Sequence, residues 1–158
     1  MATINSTSFS GETLEIIAFR LHDQEFCVKT TTIREIRGWA PSTPIPHAPA
    51  DVIGVMNLRG SVIPIIDLAY KLGMQSTVAN ERSAIVVAEV HNMVIGMLVD
   101  RVSDILTIAS EQVQPVPEVT ASFDRAYCEG IIATENGMIC FLNLAKMFKE
   151  NETDELAA

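Results

Sequence analysis

The sequence is poor in the residues from which catalytic and metal sites are built. Its 158 residues hold three cysteines and three histidines. No Cys-x-x-Cys or His-Glu-x-x-His spacing occurs, so a zinc site lacks its ligand pattern. There is no glycine-rich phosphate loop and no Gly-x-Ser-x-Gly elbow. Cys27, Cys128 and Cys140 are odd in number and sit in apolar runs, which predicts reduced core thiols in a cytoplasmic protein. Apolar neighbours raise a thiol pKa, so Cys27 and Cys140 read as poor nucleophiles. His22 and His91 read as turn residues, and His47 lies among prolines in STPIPHAP. Asp100 and Asp104 lie beside Arg101 and read as a solvated face. The expectation is no enzyme, no metal and no cofactor.

Positive charge is scarce as well. Lys and Arg number 11 against 20 Asp and Glu, giving a net charge of −9. The run ENETDE (150–155) and Glu12 carry five of these charges. Such a balance argues against a nucleic-acid or anionic-membrane surface, which needs clustered Lys and Arg. No apolar run reaches the roughly 18–20 residues of a membrane span. MATINSTSFSG has neither a basic start nor an apolar stretch, so no secretory signal and no membrane insertion are expected. The head (1–12) and the acidic tail (150–158) read as flexible ends around a body at 13–149.

That body is 48% apolar by the composition of the whole chain, enough to bury a core. Short apolar runs alternate with turns. LEIIAFRL (14–21) leads through HDQ to EFCV (25–28), SAIVVAEV (83–90) through HN to MVIGMLV (93–99), and EGIIAT (129–134) through ENG to MICFL (138–142). Runs of this length, rich in Ile and Val and joined by tight turns, predict hairpins. Asp67 and Asn143 stand where helix caps stand, before LAYKLG and LAKMF, each predicted as about two helical turns.

The two caps expose a repeat. A slide of 76 positions, from Asp67 to Asn143, brings Gly54 onto Gly130, Ile65 onto Phe141 and Ala69 onto Ala145. Upstream, a slide of 69 brings His22 onto His91, Ile33 onto Val102, Glu35 onto Asp104 and Ile36 onto Ile105. The second copy is seven residues longer in its middle loop, where SEQVQPVPEV (110–119) lies. Two halves of about five short strands each predict a mainly β fold of two small barrels with a groove between them.

Three segments carry a more specific signal. TTIREIRGW with PIPHAPADVIGVMNLRGSVIPIIDLAYKLG, MVIGMLVDRVSDILTIASEQVQPVPEV, and YCEGIIATENGMICFLNLAKMF together resemble the CheW family of chemotaxis coupling proteins, from about residue 13 to 149. The resemblance implies two SH3-like, five-stranded barrels. It implies a non-enzymatic cytoplasmic adaptor, monomeric when isolated, that joins the helical hairpin tip of chemoreceptors to the regulatory domain of the histidine kinase CheA. Other readings of the residues remain: a small-molecule-binding barrel, or a paralogue serving a different chemosensory-like pathway.

Arg59 is the residue that the apolar run VIGVMNLRGSVIPIIDL (52–68) leaves unexplained. Gly60 beside it suits a tight turn, so the arginine is predicted at the tip between two strands. There it either presents its donors to a docking helix or pairs with a local carboxylate such as Glu35. Its counterpart in the second half is Glu135. By resemblance, Ile33, Glu35, Arg59 and Gly96 correspond to receptor-contacting positions, with Ile33 as apolar anchor. Ile33 and Ile36 alternatively read as core residues, and for Ile36 the core is the preferred reading. Gly96 fits either a close strand approach to the groove or a β-bulge. Gln114 and Val119 fall in the segment that contacts the kinase. There this sequence departs from the family, in which a basic residue often stands at the first position and an aromatic at the second.

Overall fold

Several runs carry apolar residues at consecutive rather than alternate positions, and the fold supplies the reason. In the computed structural model, residues 12–117, 127–135 and 137–148 are described. The elements in order are β1 (Thr13–Leu21), β2 (Gln24–Lys29), β3 (Ile33–Gly38), β4 (Val52–Leu58), β5 (Ser61–Asp67) and α1 (Leu68–Lys71). Then come β6 (Ala84–Val90), β7 (Met93–Val99), β8 (Arg101–Ala109), β9 (Val113–Gln114), β10 (Cys128–Thr134), β11 (Gly137–Leu142) and α2 (Leu144–Met147).

The strands form two sheets, ordered β8-β1-β2-β11-β10-β9 and β3-β6-β7-β5-β4. The first half of the chain does not fold on itself. Its hairpin β1–β2 belongs to the sheet of the second half, and the hairpin β6–β7 belongs to the sheet of the first. The two expected barrels are present, but neither is built from one half alone: each borrows a hairpin from the other half. The borrowed strands lie between two cores. On one face Ile16, Ala18 and Cys27 fill the second barrel, and Ile85, Val87 and Leu98 fill the first. On the other face Ile17, Phe19, Phe26, Val86, Ile95 and Met97 meet in a central core between the sheets. Both faces are buried, so the sequence does not alternate.

The repeat holds at the level of register. Ile33 lies opposite Ala88 and Phe19 opposite Val102. Ile65 lies opposite Gly96 and Phe141 opposite Cys27. Bulges recur at equivalent places: Ile33/Glu35 against Val102/Asp104, and Val52/Gly54 against Cys128/Gly130. Asp67 accepts a hydrogen bond from Tyr70 N, and Asn143 from Lys146 N, so both predicted caps are in place. The helices they open are single turns, shorter than expected.

The pairs Thr43–Val55 and Gln114–Ile131 are equivalent, because Val55 and Ile131 differ by the slide of 76. Thr43 and Gln114 are 71 apart, so most of the second copy's extra length lies after Gln114, not before it. Of the expected flexible ends, 1–12 and 150–158, residues 1–11 and 150–158 lie outside the described residues, as does residue 149, the last of the expected body.

Candidate functional site

β4 and β5 are joined by two residues, Arg59 and Gly60, with φ of 52° and 90°. Two consecutive left-handed residues make the type I′ turn that matches strand twist in a two-residue hairpin. Asn57 Oδ1 accepts a hydrogen bond from Gly60 N at 2.9 Å and braces it. Glycine adopts this conformation freely, whereas an arginine there is strained. The Arg59 side chain stands 72% exposed at the tip.

β3 and β4 are the two edges of their sheet, yet Arg59 Nη1 donates to Glu35 Oε2 at 2.5 Å. The sheet therefore curls, and the pair bridges its open mouth. Glu35 faces the barrel interior opposite Val87, with its side chain 22% exposed. Arg37, two residues along the same strand face, places Nη1 3.6 Å from Glu35 Oε1. The hydrogen bond from Arg59 is the main reason the Glu35 carboxyl is held below the usual carboxylate range, with the charges of Arg59 and Arg37 adding to it. The same contact raises the Arg59 guanidinium pKa. Of the two alternatives for Arg59, the local pair is the one seen: it donates to Glu35 through Nη1, while most of its surface faces solvent.

The bulge between Ile33 and Glu35 sets the faces of β3. Ile33 is half-buried and packs on the central core. Ile36 is 41% exposed, so its expected place in the core is corrected: it lies on β3, an edge strand of its sheet among the described residues. Gly96 is buried in the first barrel. A Cβ there would lie 2.7 Å from Ile65 Cδ1 and 2.9 Å from Ile85 Cγ2, so this glycine makes room for core side chains rather than for a strand approach to a groove. Gln114 is exposed on the short edge strand β9. Val119 lies outside the described residues. Glu35 and Arg59 are brought together, Ile33 lies on the same strand as Glu35, and Gln114 belongs to the other sheet.

Sequence reasoning missed Arg37 and Asn57 as parts of this site. The alternation in IREIRG holds the signal for Arg37, since residues two apart on a strand share a face. The second barrel does not repeat the site. Asp104, the counterpart of Glu35, accepts from Ile105 N on its own strand, and the tip residue is the acidic Glu135.

One further feature is a cavity of about 410 Å³ at the first barrel's end, lined by Trp39, Ile53, Ile65, Asp67, Thr77 and Leu98 among others. Its buried carboxylate, Asp67, is already taken up by Tyr70 N and Thr77 N. Among the described residues no group of three or more His, Cys, Asp and Glu could hold a metal ion. No helix among them is long and apolar enough to cross a membrane.

Comparisons with known proteins agree with this architecture. Residues 15–152 match the CheW-like domain family. The chain is 49% identical over 140 residues to the chemotaxis protein CheW of Rhizobium meliloti, covering 89% of this chain and 90% of that one. It is 51% identical over 140 residues to the probable chemotaxis protein CheW of Rhizobium etli, with the same coverage. The crystal structure of the scaffolding protein TtCheW from Thermoanaerobacter tengcongensis superposes with a TM-score of 0.80 at 28% identity, covering 94% of this chain and 96% of that one. The protein belongs to the CheW-like domain family and is a chemotaxis scaffold of two SH3-like β-barrels rather than an enzyme.

Proposed function

We propose that this chain is the adaptor that couples the helical hairpin tip of chemoreceptors to the regulatory domain of the histidine kinase CheA in a cytoplasmic chemosensory array. The observation that carries the reading is the Arg59–Glu35 pair at the mouth of the first barrel. A strained, exposed arginine on a braced turn, with its carboxylate partner held ionised, is a preorganised donor group aimed outward. The receptor surface comprises Arg59, Glu35 and Ile33, with Gly96 acting beneath it through Ile65. The kinase surface comprises Gln114 on β9 of the other sheet, together with Val119 further along the chain. The rival small-molecule reading finds a cavity of suitable size, but its one carboxylate is already satisfied by backbone donors.

Isothermal titration of the full chain against a receptor-tip fragment tests the reading. Wild type binds, and Arg59→Glu binds at least ~30-fold more weakly, because the reversal removes donors and adds repulsion. Arg59→Glu keeps its melting temperature and its binding to the kinase regulatory domain. Equal loss of both partners would mean that the two surfaces share this tip.

A further inference from the structure

Cys128 and Cys140 lie on the paired strands β10 and β11, with their sulfurs 2.7 Å apart and both thiols free. The bulge at Glu129 creates this meeting. Ile131 lies opposite Cys140, and an unbroken ladder would set residue 128 opposite Asn143, on the other face from Cys140. With the bulge, Cys128 lies opposite Leu142 and shares the face of Cys140. The equivalent positions in the first half are Val52 and Pro64, so the dithiol is particular to the second barrel.

Cys27 is close in sequence terms to neither and differs in place. It sits opposite Phe141 inside the second barrel, on the opposite face of β11 from Cys140, and burial pushes its thiol up to about 12. Cys140 is half-buried rather than sealed, and it packs at the margin of the central core.

We propose that Cys128 and Cys140 are an oxidisable dithiol, closed to a disulfide by a small hydroperoxide while Cys27 stays reduced. The sulfurs need only approach by about 0.7 Å to reach bonding distance. Either sulfur can donate across this contact; with Cys140 as the donor, the contact favours the Cys128 thiolate while Cys140 keeps its proton. Cys128 thiolate attacks the peroxide oxygen, the O–O bond breaks, and the leaving oxygen takes a proton to become water. Cys140 then attacks the resulting sulfenic sulfur, an S–S bond forms, and the second oxygen leaves as water. Two thiols and one hydroperoxide give one disulfide and two waters when the oxidant is hydrogen peroxide. The link fastens the start of β10 to β11, next to the bond from Asn143 N to Tyr127 O.

The test is peroxide treatment of the reduced full-length protein, alkylation with N-ethylmaleimide under denaturing conditions, and mass spectrometry. The expected product has lost about 2 Da, takes one alkyl group, and yields a non-reduced peptide joining Cys128 to Cys140 that dithiothreitol separates. Cys27→Ala forms the same link and then takes no alkyl group. Cys140→Ala forms none. Three alkylated thiols after peroxide, or a link that includes Cys27, would overturn the proposal, and the wild-type peptide map alone decides this even if a variant fails to fold.

Discussion

Arg59 holds a left-handed backbone that Asn adopts several times more readily, and Asn-Gly is the favoured type I′ pair. Arg59→Asn is therefore expected to raise the melting temperature by ~2–4 °C while weakening receptor-tip binding. Calorimetric unfolding and titration read the two effects separately, and a variant that loses stability would show that the Glu35 pair outweighs the strain. The same pair fixes the acid response of Glu35. Its folded pKa lies below its unfolded value, so its contribution is complete above the ordinary carboxylate range and is lost only as pH falls through the lowered value. A side-chain NMR titration should show the Glu35 carboxyl moving up, toward the ordinary value, in Arg59→Asn. An unchanged midpoint would mean that Arg37 supplies the shift.

At the scale of elements, Gly54 and Gly130 show what a bulged hairpin needs from its neighbours. A Cβ on Gly54 would lie 2.5 Å from Thr43 O, and one on Gly130 2.6 Å from Gln114 O. Both obstacles are backbone, so they cannot rotate away. Gly130→Ala should cost about 1–3 kcal/mol and lift β9 from β10. Hydrogen exchange at the Gln114 amide and at Ile131 should accelerate more than at the core strands, and a uniform change would mean that β9 is not what yields. These glycines were legible as a repeated pair in the sequence, as were the caps, the hairpins and the Arg59 tip, because each depends on local chemistry. The exposure of Ile36 was not legible. It follows from β3 lying at a sheet edge, and edge position is a property of the topology. The depth of Gly96 was hidden for a related reason, since its neighbours Ile65 and Ile85 come from other strands. The length of the helices escaped because chain direction after the caps is set by packing on the central core.

The exchange of hairpins decides how the whole molecule holds together. Among the described residues of the first half the only strand pairs are β1·β2 and β4·β5; β2 pairs with β11, β3 with β6, and β5 with β7. The halves also meet at α1, where Lys71 Nζ lies 5.0 Å over the Phe148 ring and 3.3 Å from Asp51. Isolated two-stranded hairpins are marginal in water, and β1 alone would expose the run Ile16–Phe19 that is fully buried in the whole protein. Neither half should fold alone, although the sequence repeat suggests that each could. A chain divided between Gln75 and Ser76, both exposed, severs no strand pairing. Fragments 1–75 and 76–158 are each expected to lack cooperative unfolding. Mixed at equal concentration, they should recover a single thermal transition whose midpoint rises with protein concentration, as mass action requires of a two-chain fold. Receptor-tip binding should return with the transition, because Arg59 and Glu35 come from one fragment while β6 and β7 of the other supply the sheet that holds them. A 1–75 fragment that melts cooperatively by itself would show that the hairpins can close on their own half, and the exchanged sheets would not be the state that stabilises this protein.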